Sequence, residues 1–201
     1  MLHGLGQLAD SWKEVQDFLA DYPSEALELF PSGVATYQEA KERIYQRLTV
    51  EREPFVLIGL SLGAALALDL SSYDIPNLQV LVLLGCPLKL AGNIPYYIQL
   101  LIFKLLPKRI FEKQGADKSL LVGVSEELKT LDLREIAKNC PYPTLLICGG
   151  QDKPNLSSMK AIQELIPNSQ FQIIPDGPHI LNRAKPKEFA EITRSFLELQ
   201  K

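Results

Sequence analysis

A single serine stands between two glycines at the point where an apolar strand pattern gives way to an apolar, alanine-rich helix. The stretch FVLIGLSLGAALALDL at residues 55–70 places Ser61 between Gly59 and Gly63. A sharp turn from strand to helix holds the residue at its tip in a strained conformation and exposes its hydroxyl above the sheet edge. The two glycines let the strand and the helix approach without Cβ clashes. The pattern predicts that Ser61 is a nucleophile.

A serine hydroxyl needs a general base, and the chain offers only two histidines, His3 and His179. His179 lies in a loop after the last predicted strand, and Asp152 lies just past the carboxyl end of the strand before it. Because such loops share one edge of a parallel sheet, we predict that Ser61, Asp152 and His179 converge there. Alternatively, Asp152 only shapes a turn and His179 is a surface loop residue. Asp176 is a rival acid, although it fits the start of an Asp-Gly turn better.

Two backbone amides are predicted to face the same point as the serine. The N–H of Leu62 lies in the first turn of the new helix, where N–H groups lack partners and the helix dipole favours negative charge. The His3-Gly4 pair ends a strand and would aim the N–H of Leu5 at that point, with Gly4 allowing a close approach. We expect His3 to hydrogen-bond this loop, with a catalytic role as the alternative.

Apolar runs of strand length alternate with amphipathic helical patterns along the chain. The runs are continuous in their apolarity, which predicts strands buried on both faces of a parallel sheet. They lie at residues 27–30, 55–59, 80–85, 144–150 and 171–175. The helical patterns include one with Ser11 as N-cap, one with a buried stripe from Tyr37 to Leu48, and two near the end of the chain, at residues 157–166 and 185–200. The predicted fold class is α/β, a mostly parallel sheet with helices on both faces.

Residues 88–138 interrupt this alternation with a segment that holds no clear strand. They contain an apolar run from Ile94 to Leu106 and a basic patch formed by Lys104, Lys108, Arg109 and Lys113. We predict a core made of residues 1–87 and 139–201, with 88–138 as a helical cap. The apolar side chains would either line a pocket or pack the cap onto the sheet. The basic residues would either attract an acidic group or form a solvated face.

The composition of the chain argues against several classes of function. The 201 residues suit one domain with a substantial core, and a net charge of −3 without long like-charge runs gives no reason to expect a nucleic-acid partner. Three irregularly spaced cysteines and two histidines predict buried free thiols and no metal site. The start MLHGLGQ lacks a secretory pattern, and Gln99 and Lys104 interrupt the longest apolar segment. We therefore expect a cytoplasmic protein without stable membrane insertion; no oligomeric state is predicted.

Four stretches together resemble the alpha/beta hydrolase family over nearly the whole chain. LHGLGQ is similar to its oxyanion loop, GLSLG to its nucleophile elbow, PTLLICGGQD to its acid strand and loop, and PDGPHILNRAKPKEF to its histidine loop and final helix. The insertion at 88–138 falls where that family carries a lid. The histidine loop departs from the family pattern, because it reads Gly-Pro-His where members of the family more often have Gly-His. The start at Met1 predicts an N-terminally shortened fold in which neighbours of the central strand have unpaired backbone groups.

The resemblance implies a serine hydrolase that cleaves a carboxylic ester or related acyl substrate, a small molecule, without a cofactor. Ser61 would attack the carbonyl, His179 would take its proton, and Asp152 would hold the imidazole. The same scaffold could instead serve a lyase or synthase that uses the triad to abstract a proton, as menaquinone-pathway members of the family do. A third possibility is an inactive truncated relative. The sequence does not specify the acyl length.

Overall fold

The computed structural model describes residues 1–112 and 117–200, so Lys113 of the predicted basic patch lies outside the described residues. Its sheet has four parallel strands in the order β1-β2-β3-β4, in agreement with the predicted fold class. The strands are β1 (Phe55–Leu60), β2 (Leu78–Leu84), β3 (Thr144–Gly149) and β4 (Ser169–Ile174). Each lies within or overlaps one of the last four apolar runs read from the sequence.

Helices fill the connections between the strands and precede and follow the sheet. The α-helices are α1 (Lys13–Phe18), α2 (Tyr37–Thr49), α3 (Leu62–Leu70), α4 (Ile94–Leu105), α5 (Lys108–Glu112), α6 (Lys118–Glu127), α7 (Arg134–Lys138), α8 (Lys153–Leu165), α9 (Leu181–Ala184) and α10 (Pro186–Glu198). Two short 3-10 turns cover Ala9–Trp12 and Leu128–Thr130. The stripe from Tyr37 to Leu48 is buried on α2, as predicted.

The sheet separates two apolar cores, because successive side chains of a strand point to opposite faces. On β2, Leu81 and Leu83 join a core shared with α2, α3 and α8, whereas Val82 and Leu84 join the core on the other face. That second core is closed by the 3-10 turn Ala9–Trp12, α1 and α10, and Trp12 of the turn lies against Phe189 of α10 with ring centroids 6.0 Å apart. Helices thus cover both faces, and β2 and β3 are buried along their length except at Gln79. The prediction of burial on both faces is wrong for β4, an edge strand whose Gln170, Gln172 and Ile173 are exposed.

The predicted strand at residues 27–30 is wrong. Leu27 forms only an isolated bridge with Leu2, and its N–H donates to the Met1 carbonyl at 2.9 Å. Leu2 also lies beside β1, where its N–H donates to the Ile58 carbonyl at 2.8 Å and its carbonyl accepts from Leu60 at 3.1 Å. Residues 28 and 29 instead turn toward the ring of His3, so the ladder ends after one pair.

The predicted N-cap at Ser11 is also wrong. Ser11 lies inside the 3-10 turn, α1 begins only at Lys13, and the Ser11 side chain and carbonyl accept from Asn182 at 3.2 and 3.1 Å. The hydroxyl is therefore used in a long-range contact instead of a helix cap. The capping box that does form lies at α2, between Thr36 and Glu39.

The segment between β2 and β3 contains α4, α5, α6 and α7, and its described residues hold no strand beyond one antiparallel bridge between Lys89 and Asp132. Helix α4 packs on α6, where the Tyr96 hydroxyl donates to the Ser125 carbonyl at 2.7 Å. Among the described helices, none combines the length and the apolarity that crossing a membrane would need.

Candidate active site

Ser61 occupies a strained turn between β1 and α3. Its φ of 54° and ψ of −112° are rare for a residue with a side chain, and its N–H is held by the Leu84 carbonyl of β2 at 2.8 Å. The glycines make this turn possible: a Cβ on Gly59 would lie 2.3 Å from the Gly63 carbonyl oxygen. The local sequence therefore folds into a sharp elbow that places the serine at the carboxyl end of the sheet, where its residue is half-buried.

The loop that follows Leu2 crosses close to this elbow. A Cβ on Gly63 would lie 2.3 Å from the Leu2 carbonyl oxygen, and one on Gly4 would lie 3.6 Å from the Ser61 Cβ. The N–H groups of Leu62 and Leu5, the predicted oxyanion donors, have no acceptor among residues 1–112 and 117–200. Both amides therefore remain available to an anion, and both belong to segments adjacent to Ser61.

Asp152 and His179 meet directly at the ends of β3 and β4. The Nδ1–H of His179 donates to Oδ2 of Asp152 at 2.6 Å. The carboxylate is 5% exposed, whereas the imidazole is 37% exposed and thus reachable from solvent. Burial alone would raise the pKa of Asp152, but hydrogen bonds from His179 and from its helix neighbour Asn155 outweigh burial and lower that pKa. The carboxylate stays charged near neutral pH and can hold the imidazole.

Gly85, which directly follows β2, lies between the Ser61 turn and the Asp152–His179 pair. It follows Leu84, whose carbonyl holds Ser61, and a Cβ on it would lie 3.0 Å from Nδ1 and Cε1 of His179. Its φ of +52° is in the left-handed region that glycine tolerates best. The end of β2 therefore lies next to the Ser61 backbone on one side and next to the His179–Asp152 pair on the other; we call this place the corner. Among the described residues, no hydrogen bond joins Ser61 Oγ to His179 in this structure.

Asn155 supports the acid, and sequence reasoning missed it. Its Nδ2 donates to Oδ1 of Asp152 at 2.9 Å and to Oδ2 at 3.1 Å. Asn155 lies one turn into α8, which begins right after Asp152, so the helix brings the amide onto the carboxylate. The helix predicted from the sequence begins only at residue 157, whereas α8 begins at Lys153, and this late start hid the fact that Asn155 follows the acid by three residues within one helical turn.

His3 lies buried behind the loop, away from the acid and the base. Its Nδ1–H donates to the Gly4 carbonyl at 2.9 Å. Its Nε2 lies 3.0 Å from the Leu29 nitrogen and 2.9 Å from Oε1 of Glu28. Both ring nitrogens are therefore engaged in holding the loop in place.

Gln7 ties the same loop to the segment that carries the histidine. Its Oε1 accepts from the Gly4 N–H at 2.9 Å, and its Nε2 donates to the fully buried Asn182 at 3.3 Å. Asn182 follows His179 by three positions. This series of side-chain hydrogen bonds was not predicted, because residues 175 positions apart give no local signal of contact.

The described residues near the site offer neither a reactive thiolate nor a cluster of metal ligands. Cys148 Sγ lies 3.9 Å from Asp152, and burial, together with that carboxylate, raises the pKa of the thiol to about 12. The thiol is therefore neutral near neutral pH and does not compete as a nucleophile. Residues 1–112 and 117–200 contain no group of three or more His, Cys, Asp or Glu side chains that could hold a metal ion.

Comparison with solved structures shows that this architecture is a known fold. The chain is similar to a lipase-esterase related protein from Clostridium acetobutylicum, with a TM-score of 0.83, 20% identity, and coverage of 97% of this chain and 92% of that one. It is also similar to a thermophilic esterase from Thermogutta terrifontis, with a TM-score of 0.79, 20% identity, and coverage of 99% and 88%. At these identities, the likeness shows the fold.

Sequence comparison identifies the family. A comparison with curated proteins finds no match. The profile described as "Alpha/beta hydrolase family" matches residues 1–192, which is nearly the whole chain. The sequence resemblance, the parallel sheet and the structural neighbours agree with that profile. This chain belongs to the alpha/beta hydrolase family.

Proposed function

We propose that this protein is a serine hydrolase that cleaves a carboxylic ester or a related acyl compound through an acyl-enzyme intermediate. The observation that carries the proposal is the 2.6 Å contact between His179 Nδ1 and Asp152, at the sheet corner that also holds Ser61. A buried carboxylate on Nδ1 fixes the tautomer in which Nε2 is free to accept a proton. The strained serine is then the group that this base serves.

The reaction would proceed in two halves. Ser61 Oγ attacks the acyl carbonyl while His179 Nε2 takes the hydroxyl proton, and the charged Asp152 stabilises the resulting imidazolium. The N–H groups of Leu62 and Leu5 receive the oxyanion of the tetrahedral intermediate. Collapse expels the alcohol, which takes the proton from His179. Water, activated by the same imidazole, then attacks the acyl-enzyme and releases the acid.

The absence of a bond from Ser61 to His179 in the described structure is compatible with this reaction. Catalytic hydrogen bonds are often long or poorly aligned without substrate and tighten only in the complex. The Ser61 backbone is held by Leu84, and the His179 ring lies beside the next residue, Gly85, which supports our proposal that the two side chains meet when substrate binds.

Residues 88–138 would form the cap of this enzyme over a core of residues 1–87 and 139–201. A Cβ on Gly6, in the loop that carries Leu5, would lie 3.6 Å from Leu121 of α6, so the cap comes down beside the proposed oxyanion site. The substrate is a small molecule with an acyl group. The names of the lipase-esterase related neighbour and the esterase neighbour support an ester, and we propose that the reaction takes place in the cytoplasm.

The decisive experiment is labelling with a fluorophosphonate, followed by mass spectrometry of the labelled peptide. We expect one adduct on Ser61 and turnover of short-chain p-nitrophenyl esters. Ser61→Ala should lose the adduct and lower kcat by about 10³-fold or more, because the nucleophile is gone. Ser157→Ala, which alters an exposed serine of α8, is the matched control and should keep both activities.

Three results would overturn the proposal. Labelling that persists in Ser61→Ala would assign the nucleophile elsewhere. A folded wild-type protein that neither reacts with the probe nor cleaves esters would exclude an active serine hydrolase. Turnover of a substrate that depends on His179 but not on Ser61 would indicate proton abstraction without an acyl-enzyme.

A further inference from the structure

Helix α4 has two apolar faces, and only one of them packs against the protein. Its inward face uses Tyr96, Leu100 and Phe103, of which Leu100 is buried and the others are half-buried. The opposite face carries side chains that recur every three or four positions and are 49–76% exposed. We call this set the α4 stripe; it consists of Ile94, Ile98, Leu101, Ile102 and Leu105.

The α4 stripe faces away from the proposed active site. Helix α6 comes down next to the loop that carries Leu5, since its Leu121 lies close to Gly6. Helix α4 packs on α6 through Tyr96, whose hydroxyl donates to the Ser125 carbonyl. Helix α6 therefore holds the inward face of α4, and the stripe on the opposite face is not needed to complete the site described above.

Positive charge borders the stripe. Residues 94–112 carry Lys104, Lys108 and Arg109 against a single acidic residue, Glu112. Beside the stripe lies a groove of about 460 Å³ lined by Tyr97, Leu100, Leu101, Lys104 and Lys129. Its two lysines share one carboxylate, Glu126, which leaves one positive charge in excess. The protein as a whole is acidic, with a net charge of −3, so this excess is local.

We infer that the α4 stripe and its bordering cations dock on the surface of a bilayer that contains anionic phospholipid. Aliphatic side chains next to lysines are what a helix lying in the interface presents, with the apolar face in the acyl boundary and the cations among phosphate headgroups. Helix α4 has 12 residues and spans about 18 Å, which is too short to cross a bilayer. Docking leaves the active site in water and is independent of the proposed reaction.

Vesicle sedimentation with the 201-residue chain tests this inference. The probes are phosphatidylcholine vesicles with and without about one third phosphatidylglycerol. Wild type should partition at least about tenfold more strongly onto the anionic vesicles, and added salt should weaken that binding. Leu105→Glu, in the stripe, should lower partition about tenfold or more, because it replaces an inserted side chain with a charge that the headgroups repel.

The chain offers a closely matched control. Leu105 is 76% exposed at the end of α4, and Leu199 is 73% exposed at the end of α10. Leu199→Glu makes the same chemical change at the same exposure and should leave partition within about twofold of wild type. Circular dichroism confirms that both variants fold.

Three outcomes would overturn the inference. Wild type that stays in the supernatant with both kinds of vesicle has no such surface. Equal losses in Leu105→Glu and Leu199→Glu would reflect net charge alone. A wild-type dimer that Leu105→Glu disperses and Leu199→Glu does not would show that a second copy of the chain covers the stripe. None of these readings depends on ester turnover, so the outcome does not decide whether Ser61 is a nucleophile.

Discussion

Two regions of the molecule differ in their exposure to water. One is the corner where Asp152 contacts His179, and the other is the outer face of α4. At the corner, a buried carboxylate is supplied with hydrogen bonds from His179 and Asn155. On α4, aliphatic side chains are exposed beside lysines. A buried charge without any donor would be very costly, so these hydrogen bonds are what allow Asp152 to stay charged. Exposed leucines cost little, and their arrangement in one stripe is what requires an explanation.

This difference separates two kinds of substitution. Changes at the corner act on the reacting groups, so they should alter turnover of any substrate. Changes on the α4 stripe act on a surface that the site does not use, so they should alter docking and leave turnover of a soluble ester intact. The following predictions test that separation, beginning with the largest effect.

Asp152→Asn should lower kcat for a soluble ester by about 10³ to 10⁴-fold. The amide cannot stabilise the imidazolium, and it can hold His179 in the wrong tautomer. Steady-state kinetics with a p-nitrophenyl ester measures the loss. Leu105→Glu serves as the partner variant and should change kcat by less than about twofold, since its side chain is exposed at the end of α4.

A comparable loss of kcat in Leu105→Glu would erase the distinction between the two regions. It would mean that α4 takes part in forming the site. Retention of most activity in Asp152→Asn would instead remove the acid from the mechanism and return attention to Asp176, the other acidic residue of that neighbourhood in sequence.

The features that were predicted correctly from the sequence are those that a local pattern of residues determines. Continuous apolar runs correctly predicted the parallel sheet, because β2 and β3 are covered on both faces, but they wrongly predicted the same burial for the edge strand β4. Glycines around Ser61 predicted the elbow, since only that close approach requires them at both positions. The 27–30 run failed because strand length depends on the partner: Leu2 pairs with Leu27 once, and Glu28 and Leu29 then turn to His3.

Hydrogen-bond partners that lie far apart in the sequence could not be predicted from it. Ser11 looks like a helix cap, yet it accepts from Asn182, which lies 171 positions later. Gln7 reaches the same asparagine and holds the Gly4 N–H, and nothing near either residue announces this contact. The sequence predicts that the α4 segment lines a pocket or packs on the sheet, whereas its outward face is exposed. Apolarity alone does not say which side of a helix meets the protein.

Gly85→Ala should produce an intermediate effect at the corner. A Cβ there would lie 3.0 Å from His179 and 3.2 Å from Oδ2 of Asp152, so the imidazole must shift. We expect kcat/KM to fall about 100-fold, because small displacements of a base are costly. The positive φ of 52° adds a loss of about 1–2 kcal/mol in the free energy of unfolding.

Gly92→Ala separates the two causes. Gly92 has a φ of 76°, and a Cβ on it would have no neighbour within 4 Å among the described residues. This variant should lose a similar amount of stability in urea unfolding while keeping its ester turnover. If both variants lose turnover equally, strain and not displacement of His179 is responsible, and the corner is less sensitive than its contacts suggest.

Asn155→Ala should give the smallest effect and the one with a pH signature. The amide is one of the donors that hold the pKa of Asp152 below its ordinary value. A group whose folded pKa is lowered contributes stability above its unfolded pKa and loses it as pH falls through the folded pKa. Without the amide, the pKa of Asp152 rises, so the variant should be less stable by about 1–2 kcal/mol at neutral pH.

That deficit should shrink as the pH falls through the acidic range, because a protonated Asp152 no longer distinguishes the two proteins by its charge. Urea unfolding at a series of pH values measures it, and kcat should fall about tenfold at most, since His179 still holds the carboxylate. Asn139→Ala removes an amide that donates to the Glu135 carbonyl at the surface, so its deficit should not vary with pH. If the Asn155→Ala deficit were equally independent of pH, the amide would contribute only to packing at the start of α8 and would not stabilise the charged carboxylate of Asp152.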